Sequence, residues 1–283
     1  KVDFSGNDKW VLVPFDFRKL KQILFEWQMG MAEHGAWDAV FWCNHDQPRA
    51  VSRFGDEKRY WKESAKMLAT VVHCMRGTPY IYQGEELGMT NAGFTHISQY
   101  RDVESLNHFQ ILQEKGLTEA DAYRILQVHS RDNSRTPMQW SEEKNAGFTK
   151  GVPWLKVNPN YHRINVESQI SSGDSLFSYY KELIALRKSA KYQEVLTYGE
   201  IVPEALKDTE LLEDHSDRDV IAFSRRGEGK KILIAANFGT DEVCLSLKNI
   251  QKITVLVSNM KEVFYQGGEL RLRSCEAVVL EII

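Results

Sequence analysis

Residues 41–49 read Phe-Trp-Cys-Asn-His-Asp-Gln-Pro-Arg, and they close an apolar stretch that begins at Ala39. The stretch stops abruptly at Cys43 in four hydrogen-bonding side chains and a proline. Asn44, His45, Asp46 and Gln47 present two amides, an imidazole and a carboxylate at one strand end, the composition of an active-site mouth at the C-terminal face of a parallel barrel. A His-Asp dipeptide alone is more simply explained as a helix cap or a partner for loop amides. The surrounding tetrad and the strand-end position favour chemistry. Arg49 closes the run and is a candidate substrate-binding cation. A second concentration is Arg131, Asp132, Asn133 and Arg135, and the adjacent acids Glu85 and Glu86 invite a reading as paired catalytic carboxylates.

Helices and strands must hold these groups. Asp16 to Met31 has apolar residues at 17, 20, 23, 24, 27 and 31, a helical stripe with Asp16 placed to cap it. Ala39 to Cys43 reads as a short buried strand. Arg59 to Met75 repeats the helical pattern, with Gly77 as its stop, and Thr78 to Tyr82 reads as another strand. Helix, strand, helix, strand is the rhythm of parallel α/β structure. From Leu87 to Gly173 that rhythm dissolves, apart from a helical stretch near Glu119 to Val128. An irregular segment of this length inside a compact protein is usually functional. Ser175 to Arg187 is a further amphipathic helix. Beyond about Val195 short strands follow at 220–223, 231–235, 244–247, 253–257, 270–273 and 277–283, with turns at Gly227-Glu228-Gly229 and Gln266-Gly267-Gly268. They predict an all-β domain, a sandwich of about ninety residues.

Composition narrows the classes. With 283 residues, 42% hydrophobic and 27% charged, the chain has ample length for a core. A net charge of −3 and the lack of a basic stripe argue against nucleic acid. No apolar run approaches the ~20 residues that span a bilayer, so no membrane partner is expected. Cys43, Cys74, Cys244 and Cys275 form no CxxC pair, which favours reduced, buried thiols and a cytoplasmic protein. No metal-ligand cluster and no cofactor motif stand out. Lys1-Val2-Asp3-Phe4 reads as a cut inside a longer protein.

Residues 41–47 resemble the fourth signature region of the α-amylase clan of glycoside hydrolases (family 13), which lies on barrel strand seven. Gly77 to Met89 is similar to the strand-eight segment. Tyr100-Arg101-Asp102-Val103-Glu104-Ser105-Leu106-Asn107 and Ser130 to Trp140 resemble the α-glucosidase branch that holds oligo-1,6-glucosidases and trehalose-6-phosphate hydrolases. The resemblance implies an α/β chain. Strands seven and eight of a TIM (β/α)8 barrel with flanking helices would occupy residues 1–193, and an antiparallel β domain residues 194–283. It also implies a retaining mechanism, in which an aspartate nucleophile and a glutamate acid/base stand about 5–5.5 Å apart. Asp46 matches the third carboxylate, which grips sugar hydroxyls in the −1 subsite and stabilises the oxocarbenium-like transition state. His45 would donate to the same hydroxyls, and Arg135 matches the arginine that reaches the −1 sugar. Glu104 would lie near the +1 subsite, though a solvated loop acid explains it equally well. The family treats the Glu85-Glu86 segment as framework. Trp140 and Trp154 are candidate sugar platforms or, more commonly, loop packing.

The nucleophile and acid/base motifs of strands four and five have no counterpart here, so the chain alone is expected to be inactive. The rest of the barrel is then an implied partner, beside a small α-glucoside substrate. Cys43 and the opening with Asp8-Lys9-Trp10 resemble trehalose-6-phosphate hydrolases, whereas isomaltose-cleaving relatives more often carry asparagine at the cysteine position. A phosphorylated substrate needs positive charge beside the +1 sugar, for which Lys1 and Lys9 are candidates. An oligo-1,6-glucosidase, a transglycosylase and a non-catalytic carbohydrate-binding remnant remain as alternatives.

Overall fold

The structure, a computed structural model, describes residues 2–6, 8–204 and 206–283. The chain runs α1 (Phe17–Glu33), β1 (Ala39–Val40), α2 (Ala50–Phe54), α3 (Trp61–Cys74), β2 (Thr78–Pro79), α4 (Val103–Glu114), α5 (Glu119–His129), α6 (Val166–Ile170), α7 (Leu176–Lys188) and α8 (Gln193–Thr197). Eight strands follow: β3 (Glu200–Pro203), β4 (Val220–Gly227), β5 (Lys230–Asn237), β6 (Val243–Ser246), β7 (Ile253–Ser258), β8 (Phe264–Gln266), β9 (Glu269–Leu272) and β10 (Ala277–Ile282). Chain contacts gather these into two units. One comprises residues 1–15, 42–57 and 81–178, and the other 16–41, 58–80 and 179–283.

The second unit is built on antiparallel sheets of order β3-β4-β5-β10-β7 and β6-β9-β8. Alternation along the strands sends Val220, Ala222, Leu233, Ala235, Val278 and Leu280 into one cluster with Leu245, Leu270 and Leu272 of the smaller sheet. The opposite face of the larger sheet is buried as well, because α3 packs on β5 and β10 and Phe25 of α1 meets Phe223 edge-on. A sheet covered on both faces reads as a continuous apolar run, which is why β4, β5 and β10 are so uniformly hydrophobic. Each fully buried leucine or valine there stabilises the unit by about 1.5–3 kcal/mol. The β4–β5 hairpin closes through Glu228 and Gly229, both at positive φ, as a two-residue turn of that twist requires. Strands β3 and β8 are additions to the sequence-based reading. Cys244 is exposed while the other three cysteines are buried, so the expectation of buried thiols fails at β6.

Helix α1 starts where expected, with the Asp16 carboxylate accepting the Lys19 amide. Helix α3 ends at Cys74 with Met75 as its C-cap, within a residue of the expected end. Its buried terminal carbonyls are met by Arg187, which donates to His73 O and Met75 O at 2.7 and 3.0 Å, and by Arg225, which donates to Cys74 O at 2.9 Å. Gly77 is required for another reason, since a Cβ there would stand 2.6 Å from Asp38 O, against β1. The two expected parallel strands pair only at Ala39–Thr78 and Val40–Pro79. Pro79 has no N–H to extend the ladder.

The first unit is dominated by loops. Helices α4 and α5 form a hairpin over a cluster of Trp10, Phe94, Tyr100, Phe109, Leu112, Ile125, Leu126 and Leu155. The α4 helix is hidden in the irregular segment because exposed Val103, Leu106 and Ile111 blur the buried stripe of Ser105, Phe109 and Leu112. No helix among the described residues is long and apolar enough to cross a membrane.

Candidate active site

Asn44 organises the strand-end run. Its side-chain oxygen accepts the Asp46 amide at 2.8 Å and its carbonyl accepts the Gln47 amide, an Asx turn that leaves His45 and Asp46 facing outward. The Asp46 side chain is 46% exposed and that of His45 70%, with His45 Nε2 3.4 Å from Asp46 Oδ2. The partners arrive from a single 3-10 turn, Arg131–Ser134. Ser130 caps that turn by accepting the Asp132 amide. A four-residue spacing sends two arginines the same way. Arg135 donates through Nη2 to Asp46 Oδ1 at 2.7 Å and through Nε to His45 O at 2.8 Å. Arg131 Nη1 reaches the same carboxylate oxygen at 3.5 Å.

The residues between those arginines turn inward. Buried Asp132 accepts the amides of Arg101 and Asp102 through Oδ2, at 2.7 and 2.9 Å, and Asn133 bonds Ala92, Leu126 and Gln127. Asp102 caps α4, accepting from both the amide and the hydroxyl of Ser105, and receives Arg131 Nη2 at 2.5 Å. Burial disfavours the Asp102 carboxylate, but the hydrogen bonds from Arg131 and Ser105 outweigh it and hold its pKa below the ordinary value. The hydrogen bond to Asp102 likewise pushes the Arg131 guanidinium up. Glu104 lies 3.3 Å from Arg131 Nε and accepts Lys9 Nζ at 2.8 Å. The cluster thus sets Lys9, Arg131 and Arg135 against Asp46, Asp102 and Glu104 in a charge-balanced network.

Five of the seven site residues expected from sequence therefore meet: His45, Asp46, Glu104, Arg135 and Lys9. Lys1 lies outside the described residues. Arg49 is corrected. It is 1% exposed, with Nη1 donating to Gln83 O at 2.5 Å and its guanidinium over the Tyr82 ring, so it braces the segment after β2 and does not reach toward substrate. Burial lowers its pKa. Tyr82 in turn donates to Ser134 O at 3.1 Å, beside Arg135. Glu85 is buried and accepts from Cys43 Sγ and the Tyr82 amide, as framework would. Sequence reading assigns no role to Arg131 or Asp102. The signals for them are the Arg-x-x-x-Arg spacing and the Asp-x-x-Ser start of α4, both visible once α4 is recognised as a helix.

The alpha-amylase catalytic-domain family matches residues 1–199. The trehalose-6-phosphate hydrolase of Bacillus subtilis (strain 168) is 50% identical over 249 residues, covering 87% of this chain and 42% of that protein. The oligo-1,6-glucosidase of Halalkalibacterium halodurans is 44% identical over 284 residues, covering 98% of this chain and 48% of that protein. The crystal structure of Bacillus licheniformis trehalose-6-phosphate hydrolase superposes with a TM-score of 0.91 at 46% identity, covering 100% of this chain and 50% of that one. The chain thus spans about half the length of the curated relatives it matches.

Proposed function

This chain belongs to the alpha-amylase family of glycoside hydrolases, and on that premise we propose that it supplies one wall of the sugar pocket of a retaining α-glucosidase acting on trehalose 6-phosphate, releasing glucose and glucose 6-phosphate. The observation that carries the reading is the 2.7 Å bond between Arg135 and Asp46, two residues far apart in sequence that meet at a half-exposed carboxylate beside His45. Asp46 and His45 would hold the hydroxyls of the −1 sugar. Their hydrogen bonds strengthen as the ring flattens and gains positive charge, which lowers the barrier instead of merely tightening the ground state. Arg135 and Arg131 fix the carboxylate, and the planar fork of arginine suits that role better than lysine. In this reading β1 and β2 are strands seven and eight of the (β/α)8 barrel, residues 1–193 belong to the catalytic domain, and residues 194–283 form a β-sandwich.

The nucleophile and the acid/base have no counterpart in the chain, so the covalent route is closed to it alone. Purified chain is expected to leave a nitrophenyl α-glucoside intact, and measurable turnover would refute this. Joined to the N-terminal half of a related trehalose-6-phosphate hydrolase, it should favour trehalose 6-phosphate over isomaltose. One observation favours the second reading, an oligo-1,6-glucosidase: Lys9, the candidate phosphate ligand, is already paired with Glu104. A completed enzyme that prefers isomaltose would establish that alternative.

A further inference from the structure

A cleft of about 480 Å³ in the first unit is lined by residues of 98–101, 144–145 and 152–161 and shares no residue with the Asp46 cluster. Its charged lining is entirely basic: Arg101, Lys144 and Lys156. Among the described residues, the ammonium groups of Lys144 and Lys156 have no hydrogen-bond or ion-pair partner. The Arg101 guanidinium donates to the neutral carbonyls of Ser98 and Tyr100. Cations that line one cleft without an ion-pair partner leave positive charge for an anion to meet. The same cleft carries Tyr161 and Trp154, the latter 64% exposed. An indole face open to solvent is a platform for the C–H face of a pyranose.

The wall that holds Lys144 is tied down by hydrogen bonds. Asn145, Ala146 and Gly147 follow one another at φ 57°, 57° and 65°, a left-handed run that side chains resist. It is held by Asn145 Nδ2, which donates to Thr149 O and Gly151 O, and by the Trp140 and Ser141 amides, which donate to Ala146 O. Disfavoured backbone that the surroundings over-determine is a mark of ligand clamps.

We propose that this cleft is a second, non-catalytic site for a phosphorylated sugar, with the phosphate held by Lys144, Lys156 and Arg101 and the ring lying on Trp154. The anionic half of the assignment rests on the cleft alone. The sugar half rests on the exposed Trp154 face and on the substrate reading proposed above.

The test is calorimetric titration of the 283-residue chain with glucose 6-phosphate, glucose and inorganic phosphate. Glucose 6-phosphate should bind saturably and more tightly than either of the others. Joint Lys144→Gln and Lys156→Gln substitution should weaken it by about tenfold or more, and Trp154→Ala should abolish its advantage over inorganic phosphate. The lysines and the indole are exposed, so an unchanged thermal melt confirms that the variants fold. Undiminished affinity in the double variant, or equal affinity for inorganic phosphate, would overturn the proposal. Turnover by the completed enzyme is a separate readout: isomaltose preference there would defeat the substrate reading and leave this site standing.

Discussion

Arg131 and Arg135 meet carboxylates, whereas Lys144 and Lys156 meet none among the described residues, although all four lie on the loop-rich chain between α5 and α6. At Asp46 the positive charge is consumed internally, and its effect is to hold two arginines and a carboxylate in one geometry. Such a cluster suits a neutral polyol, which needs fixed donors and acceptors more than net charge. In the cleft the charge is left over, which suits an anion. The contrast shows that cation content alone does not identify a phosphate site. What counts is whether the fold has already supplied the counter-charge.

The sharpest way to break this comparison is at Asp46. In the completed enzyme Asp46→Asn should lower kcat/KM by about 10²–10³-fold, the scale for losing one electrostatic contact to a developing charge. A loss below tenfold in steady-state kinetics would remove Asp46 from the transition state. Asp102 comes next, because its carboxylate is buried and shared by Arg131 and Ser105. Asp102→Ala should cost about 2 kcal/mol in urea unfolding, the range for hydrogen bonds to charged groups. The pH dependence has a definite sign. A folded-state pKa below the unfolded value means that the unfolded chain takes up the proton first. The contribution of Asp102 is therefore complete above its unfolded pKa and disappears as pH falls through the folded one. Urea midpoints measured from pH 6 downward should decline on acidification, and less steeply in Asp102→Asn.

Lys9 gives the smallest and most discriminating effect. Its pair with Glu104 is only partly buried, so Lys9→Ala should change stability by less than about 1 kcal/mol. If Lys9 turns from Glu104 to a substrate phosphate, the same change raises KM for trehalose 6-phosphate in the completed enzyme and leaves KM for isomaltose alone. Equal effects on both would assign Lys9 to Glu104 permanently.

Local chemistry is legible in the sequence wherever it is carried by neighbours along the chain. The Asp16 cap, the apolar runs of β4, β5 and β10 and the turn at Gly227-Glu228-Gly229 all depend on residues within a few positions of one another. Resemblance extends that reading to Asp46 and Arg135. What depends on distant partners is not legible. Arg49 looks like one more polar residue at a strand end, and only packing against Gln83 and Tyr82 turns it inward. Helix α4 escapes detection because apolar residues on its exposed side blur its period. Gly77 reads as a helix stop, when the approach of Asp38 is what demands a glycine.

The sequence by itself determined which groups were present and which faces of the strands were apolar, since both follow from composition and short-range spacing. Only the tertiary structure decided which cations were neutralised. Whether Arg131 finds Asp102 and Lys9 finds Glu104, while Lys144 finds no carboxylate among the described residues, is a matter of a few ångströms between segments far apart in the chain. Coulomb energy depends on that distance and not on sequence separation.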